Sequence, residues 1–400
     1  MRISVVIPTR NRQWLARRAI NSVLAAGHDD LEIIVLDNSD ECSPGSPFLT
    51  QDEFLSDPRI SVVSSDRALS MIDNWERALP LANGRYITYA SDKDIFLPNS
   101  LSSFASAVDG ESFPDLVAYR KAWYNEEANR LTTYHVDGKI TEHSSREFLQ
   151  PWYACPGHMH SMPSLYGGFA SADLVRRSRR CSYPTFFIGN SPDIGSAVVL
   201  CGHSRTYRQF HFHVAVAHAG SWSTGRDAAS LGMHSSGSKR VVNEYGRQFD
   251  EEMGLPGVLG TVIAEVLLEA RRAYPEQLGE YTIDWQQFLP SLKRELDALQ
   301  ISAEMKQKEW ARIYSRNSIV PRSAVRMYSL LSLARRIKRG GVRLLSSILR
   351  SGGALKPYDS APEASPNSPP WHYDWMRQSP CDSLESALQR TAELNSRSKL

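Results

Sequence analysis

Residues 3–90 alternate short apolar segments with segments of helical period, and that alternation restricts the fold more than any other feature of the chain. Ile3 to Ile7 is an unbroken apolar run stopped by Pro8, so it reads as a strand buried on both faces. Residues 11–26 follow with Ile20, Val23 and Leu24 at helical spacing and arginines on the other face. Leu31 to Leu36 is a second buried strand ending in Asp37-Asn38, and Ser39 to Pro47 is a polar loop. Ile60 to Val63 is a third strand. Residues 69–82 place Met71, Trp75 and Leu79 on one helical face and stop at Asn83-Gly84. The strand Tyr86 to Ala90 comes next, with Ser91-Asp92-Lys93-Asp94 directly behind it. This order predicts an α/β fold, a mostly parallel sheet flanked by helices on both faces.

Sheets of this kind bind ligands at the carboxyl ends of their strands. Three such ends carry polar groups here: Thr9-Arg10-Asn11, Asp37-Asn38 and Asp92-Lys93-Asp94. Two carboxylates spaced Asp-x-Asp can share a divalent cation, or divide a cation and a sugar hydroxyl between them. Hard oxygen ligands suit Mg2+ or Mn2+, which in turn suit a diphosphate. The bland alternative is a solvated acidic turn.

Past Tyr119 the pattern loosens. Pieces near 120–125 and 130–135 read as an antiparallel ribbon, and 151–170 as a loop region rich in Pro, Gly, His and aromatics. A helix is expected over 191–201, with strands at 204–208 and 211–217. Beyond residue 238 the chain turns helical, with helices expected at 255–274, 285–299, 301–315 and 323–350. Within 322–350, eight Lys or Arg are interleaved with Val325, Tyr328, Leu331, Leu344, Leu345, Ile348 and Leu349, with no acid. That stretch reads as a binder of an anionic membrane surface or as an ordinary packed helix, and, with no nucleic-acid module recognised, no nucleic-acid partner is expected. Residues 351–400 read as a linker and disordered tail, with a short helix expected near 382–396. The domain reading is thus 1–226, divided at 110, a helical extension over 238–350, and the tail.

Five cysteines, an odd number without a C-x-x-C pair, argue against a disulfide framework or a zinc site. The opening apolar run is too short for a signal peptide, and no stretch approaches the roughly 20 apolar residues of a membrane span. A cytoplasmic protein is expected, touching the inner face of the membrane through its basic stretch.

The motifs in order resemble family-2 glycosyltransferases of the GT-A fold. The residues that carry the likeness are Ile3 to Arg12, Glu32 to Ser39, Asn74 to Leu79 and Asn83 to Ile87, followed by the acidic motif. The likeness covers roughly residues 2–225 and thins after about 150. It implies transfer of a sugar from a nucleotide-diphosphate donor, with UDP-sugars foremost, to a glycan or glycolipid hydroxyl, inverting and dependent on Mn2+ or Mg2+. It further implies that Thr9 and Asp37 hold the nucleotide, with Pro8, Arg10, Asn11 and Asn74 beside them. Asp92 would face the nucleotide sugar and Asp94 would bind the metal. Lys93 departs from the usual acidic middle position and is expected to point to solvent.

An inverting displacement also needs a base for the acceptor hydroxyl. Asp193, in the first turn of the helix opened by Ser191-Pro192, stands where the family carries an acid. Its plain alternative is an ordinary helix start. His211 and His213 alternate on one strand, flanked by His203 and His218, and His213 is the histidine considered for the metal shell. His158 and His160 are placed at the acceptor cleft, Trp152, Tyr153 and Trp222 as surfaces for sugar rings, and Arg226, with the glycine-hinged loop before it, as a lid. A noncatalytic binder of the same fold and a sugar nucleotidyltransferase are the competing readings. Pro8 to Asn11 lacks the glycines of a nucleotidyltransferase loop.

Overall fold

The computed structural model describes residues 1–42, 47–54, 56–109, 113–157, 162–179, 185–220, 231–245, 257–315 and 376–397. Strand β1 (Ile3–Thr9), helix α1 (Gln13–Leu24) and strand β2 (Leu31–Asp37) form as expected, and both strands are buried along their whole length. Then come β3 (Ile60–Ser64), α2 (Met71–Glu76), β4 (Tyr86–Tyr89), β5 (Asp94–Phe96) and α3 (Ser100–Val108). Strands β3-β2-β1-β4 are parallel neighbours. Alternate residues of β1 feed two cores: Ile3, Val5 and Ile7 pack with α1 and α3 on one face, and Val6 with α2 on the other.

Helix α2 is shorter than the periodicity over 69–82 predicts. After Glu76 the chain continues in i→i+3 turns, Trp75 to Ala78, Glu76 to Leu79 and Ala78 to Leu81. The end of that turn is pinned from below. Glu32 accepts the backbone N–H groups of Asn83 and Gly84, and a Cβ on Gly84 would lie 2.5 Å from the Ser4 backbone nitrogen.

Beyond β4 the sheet becomes mixed. Strands β6 (Leu116–Asn125), β7 (Arg130–Tyr134) and β9 (Gly168–Ser171) run antiparallel to their neighbours β9–β4, β6–β9 and β6–β7. The two strands expected over 204–217 are one strand, β10 (Thr206–Ala219), which pairs with β6, with β5 and with β8 (Ile140–Ser144). The whole forms an 11-stranded sheet. Helices α4 (Ser145–Ala154), α5 (Ala172–Ser178) and α6 (Pro192–His203) cover it.

The helical extension is not packed apart from the domain before it. After α7 (Ser236–Tyr245), α8 (Leu259–Ala273) and α9 (Pro275–Leu278) place Ile263, Val266, Leu267 and Leu278 in the same core as Val198 and Leu200 of α6. The Tyr153 hydroxyl donates to the Leu267 carbonyl, and that of Tyr274 to Ser178. Gly189, at φ +72°, lets Val266 approach: a Cβ there would meet its Cγ2 at 2.4 Å. Helices α10 (Trp285–Ala298) and α11 (Ala303–Ser315) gather a smaller core of their own around Phe288, Leu292 and Ile313.

The helix expected near 382–396 forms, and the expectation of an unstructured tail before it is corrected at 376–380. Strand β11 (Met376–Pro380) adds antiparallel to β7, and α12 (Leu384–Arg397) buries Ala387, Thr391 and Asn395. The physical reason is an unpaired edge: β7 offers a row of backbone groups, and a polar segment satisfies them as well as an apolar one. The basic stretch 322–350 lies outside the described residues. Among the described residues, no helix is long and apolar enough to cross a membrane.

Candidate active site

The parallel strands end together. Thr9 of β1 stands opposite Asp37 of β2, and Ala90, just past β4, donates its N–H to the Val6 carbonyl. Thr9, Asp37, Asp92 and Asp94 are all buried. The Thr9 hydroxyl donates to Asp92 Oδ2 at 2.9 Å, and Arg12 Nε pairs with the same oxygen at 2.9 Å. The first loop and the acidic motif are therefore joined directly.

Asp37 forms an Asx-turn, accepting the Ser39 N–H at 3.0 Å and, with its other oxygen, that of Leu49 at 3.3 Å. Asn11 sits at φ +58°, a conformation asparagine tolerates, and holds the loop after β2. Its side chain bonds both the backbone and the carboxylates of Asp40 and Glu41. Arg10 reaches Asp40 and Glu244 of α7, and its guanidinium with Asn11 holds the Asp40 carboxyl down at about 2. Pro8 is a buried member of β1. Asn74 acts through a residue the sequence reading passed over. It accepts from Arg77 Nε, and Arg77 donates to the carbonyls of Asp37, Val63 and Ser64, tying the ends of β2 and β3 together.

The sequence reading also passed over Lys121, on β6. Its Nζ lies 2.6 Å from Asp94 Oδ2, with the two side chains 7% and 0% exposed. The Tyr166 ring lies over the same ammonium at 3.9 Å. Asp94 Oδ2 also accepts the Ser91 N–H, and Asp94 Oδ1 is buried and meets no hydrogen-bond partner among the described residues. Lys93 does not stand clear in solvent. Burial pulls its ammonium below the usual value, against the attraction of Asp94 and Asp92. Three cations, Arg12, Lys93 and Lys121, thus attend two carboxylates.

That arrangement does not fit a divalent cation. Asp92 Oδ2 is committed to Thr9 and Arg12, and Asp94 Oδ2 to Lys121 and Ser91. Of the other two oxygens, Asp92 Oδ1 accepts the Ser91 hydroxyl at 3.3 Å and Asp94 Oδ1 has no partner among the described residues, but each belongs to a carboxylate that already holds a cation on its Oδ2, where a dication would meet like charge. His213 does not join it. His213 lies on β10 four residues before Ala217, the partner of Asp94, hence roughly 13 Å along the strand. Its Nε2 accepts the Tyr134 N–H, and its backbone is bracketed by Asn395 of α12. The histidine beside the motif is His218, whose N–H donates to the Lys93 carbonyl. Arg18 can only donate to its Nδ1, so Nε2 carries the proton and donates to Glu126.

Burial, with Arg120 nearby, pushes His213 down to about 3. In the unfolded chain it would take a proton near pH 6.5, so between these values the unfolded state binds more protons. The stability this gives is complete above about pH 6.5 and is lost as pH falls, on the order of 3 kcal/mol by pH 4. Urea midpoints from pH 7 to 4 should show that loss, and His213→Gln, less stable at pH 7, should show a smaller one. Equal slopes would remove His213 as the cause.

Asp193 lies in the first turn of α6, with Oδ1 accepting from the Ser191 hydroxyl at 2.9 Å. Tyr166, whose ring lies over Lys121 at 3.9 Å, stands beside the acidic motif; burial raises its phenol above the usual value, and the charges of Asp94 and Asp193 raise it further. The seat of α6 depends on Gly195, where a Cβ would lie 2.3 Å from the Ile188 carbonyl oxygen. Alanine is the better helix former by about 1 kcal/mol, but this contact is with backbone and cannot rotate away. Gly195→Ala should therefore lose about 1–3 kcal/mol net, read as a lower melting temperature. A neutral or stabilising result would mean that α6 shifts freely.

Trp152 and Tyr153 belong to the core, with the Trp152 indole N–H on the Gly157 carbonyl, and offer no face to a sugar. His158, His160, Trp222 and Arg226 lie outside the described residues.

Residues 4–159 match the glycosyl transferase family 2. A colanic acid biosynthesis glycosyl transferase of Escherichia coli K12, WcaA, is 41% identical over 189 residues, 47% of this chain and 54% of that protein. The GalNAc(5)-diNAcBac-PP-undecaprenol beta-1,3-glucosyltransferase of Campylobacter jejuni is 33% identical over 151 residues, 37% of this chain and 47% of its own. The chain thus spans about half the length of the curated relatives it matches. The S. aureus TarS structure with UDP-GlcNAc is a remote likeness, at 11% identity and TM-score 0.42 over 81% of this chain and 74% of that one, and supports no residue correspondence.

Proposed function

We propose that the protein is a glycosyltransferase that moves a sugar from a nucleoside-diphosphate donor, a UDP-sugar foremost, to a hydroxyl of a lipid-linked glycan in surface polysaccharide synthesis. The observation that carries this is the convergence of Thr9, Asp37, Asp92 and Asp94 at the carboxyl ends of parallel strands inside the family-matched region. The lipid-linked acceptor is supported by the undecaprenol-diphosphate substrate in the name of the Campylobacter relative.

In this reading Thr9 and Asp37 border the nucleotide, and Asp92 faces the donor sugar. The acceptor oxygen attacks the anomeric carbon, its proton passes to Asp193, and the bond to the diphosphate breaks with its electron pair leaving on the phosphate oxygen. In-line attack inverts the anomeric centre.

The test is an assay of the full chain with UDP- and GDP-sugars and undecaprenyl-diphosphate-linked saccharides. Release of nucleoside diphosphate, with one sugar added to the acceptor, is expected. Asp92→Asn should lower it about 10- to 100-fold through the loss of a charge-assisted hydrogen bond. Release of pyrophosphate instead would mark a nucleotidyltransferase, and nucleotide binding without any release would mark a noncatalytic binder.

A further inference from the structure

We propose that Lys121 supplies the positive charge at the acidic motif that a divalent cation would otherwise supply, so that this chain binds its nucleotide without metal. The inference rests on the glycosyltransferase reading and concerns how that site holds the donor diphosphate.

The geometry is that of a built-in cation. Lys121 comes from the middle of β6, which is paired to β10, and β10 is paired in turn to β5, the strand that starts at Asp94. Its ammonium is fixed by the 2.6 Å contact with Asp94 and by the Tyr166 face at 3.9 Å. The pair is almost wholly buried, where charge acts strongly and where two hydrophobic residues would fill the space at least as stably. A stability role alone does not account for it.

A second observation points to a ligand: Asp94 Oδ1 is buried and unpartnered among the described residues, an acceptor suited to a donor-sugar hydroxyl. Arg12, already on Asp92, and Lys93 add to the positive field. When the bond between the anomeric carbon and the diphosphate breaks, the phosphate oxygen gains one negative charge. Lys121 Nζ, with Arg12, would stabilise it by charge-assisted hydrogen bonds. Burial alone would pull the Lys121 ammonium down, but attraction to Asp94 and its neighbours outweighs it and leaves the group above its ordinary value, so it stays charged.

The experiment is calorimetric titration of the full chain with UDP and GDP, in EDTA and in Mn2+, together with a paramagnetic-resonance titration with Mn2+ alone. Wild type should bind one nucleotide equally well in both buffers and take up no Mn2+. Lys121→Met should lose about 10-fold or more in EDTA, regain affinity in Mn2+ and itself bind Mn2+. If Lys121→Met does not fold, Lys121→Met/Asp94→Asn removes both charges together. Nucleotide binding by that variant should be weak and unrescued by Mn2+, whereas wild-type affinity in it would overturn the proposal. Nucleotide binding by wild type that EDTA abolishes and Mn2+ restores would overturn the proposal and leave the transferase reading standing. Failure to bind UDP, GDP or dTDP, titrated in the same way, in either buffer would overturn both.

Discussion

Asp94→Ala should lower the stability of this protein by about 3–5 kcal/mol, well beyond any defect in turnover it also causes. The substitution leaves the Lys121 ammonium in a site only 7% exposed, with its 2.6 Å partner gone. It also removes the acceptor of the Ser91 N–H. The folded state can escape only by releasing the Lys121 proton, which pulls that group below its ordinary value near 10.4. In the variant the unfolded chain then binds the extra proton, so stability rises with pH up to that value. The deficit against wild type, read from urea midpoints, should therefore be large at pH 7 and shrink towards pH 10. Asp40→Ala is the control. Arg10 and Asn11 hold the Asp40 carboxyl at about 2, but Asp40 is 49% exposed and solvent screens the pair. Its removal should leave the midpoint unchanged within error. If Asp94→Ala behaved like Asp40→Ala, the buried pair would be contributing nothing to the fold.

The contrast between Asp94 and its partner also marks the limit of what the sequence could show. Strands β1 and β2 were legible because parallel strands buried on both faces read as unbroken apolar runs, and their polar ends stand out. The meeting of Thr9, Asp37 and Asp92 followed from that order alone. Lys121 was not legible, because its place opposite Asp94 depends on two strand pairings through β10 that no local pattern announces. A faint signal existed: Arg120-Lys121 interrupts an otherwise apolar strand that is buried almost throughout. The choice of His213 over His218 failed for a related reason. Register shifts in β10 between Phe210 and Ala215 break simple alternation, and only the pairing of β10 with β5 shows which histidine faces the motif. Strand β11 was missed because Arg377-Gln378-Ser379 has no apolar face. What makes it a strand is the edge of β7, a property of its partner.

Asp193→Asn should lower the rate of sugar transfer by about 10²- to 10⁴-fold, the range over which a positioned general base contributes. Asparagine keeps the shape of the side chain and can still accept the Ser191 hydroxyl with its amide oxygen. It stays at the same point in the first turn of α6, so the seat of the helix on Ile188 is untouched. What it loses is the capacity to take a proton. The defect should therefore fall on turnover and leave nucleotide affinity and melting temperature where they were. Ser191→Ala, which removes only a neutral hydrogen bond, should cost far less. A variant that keeps its rate would return Asp193 to an ordinary helix start and send the search for the base elsewhere around the acidic motif.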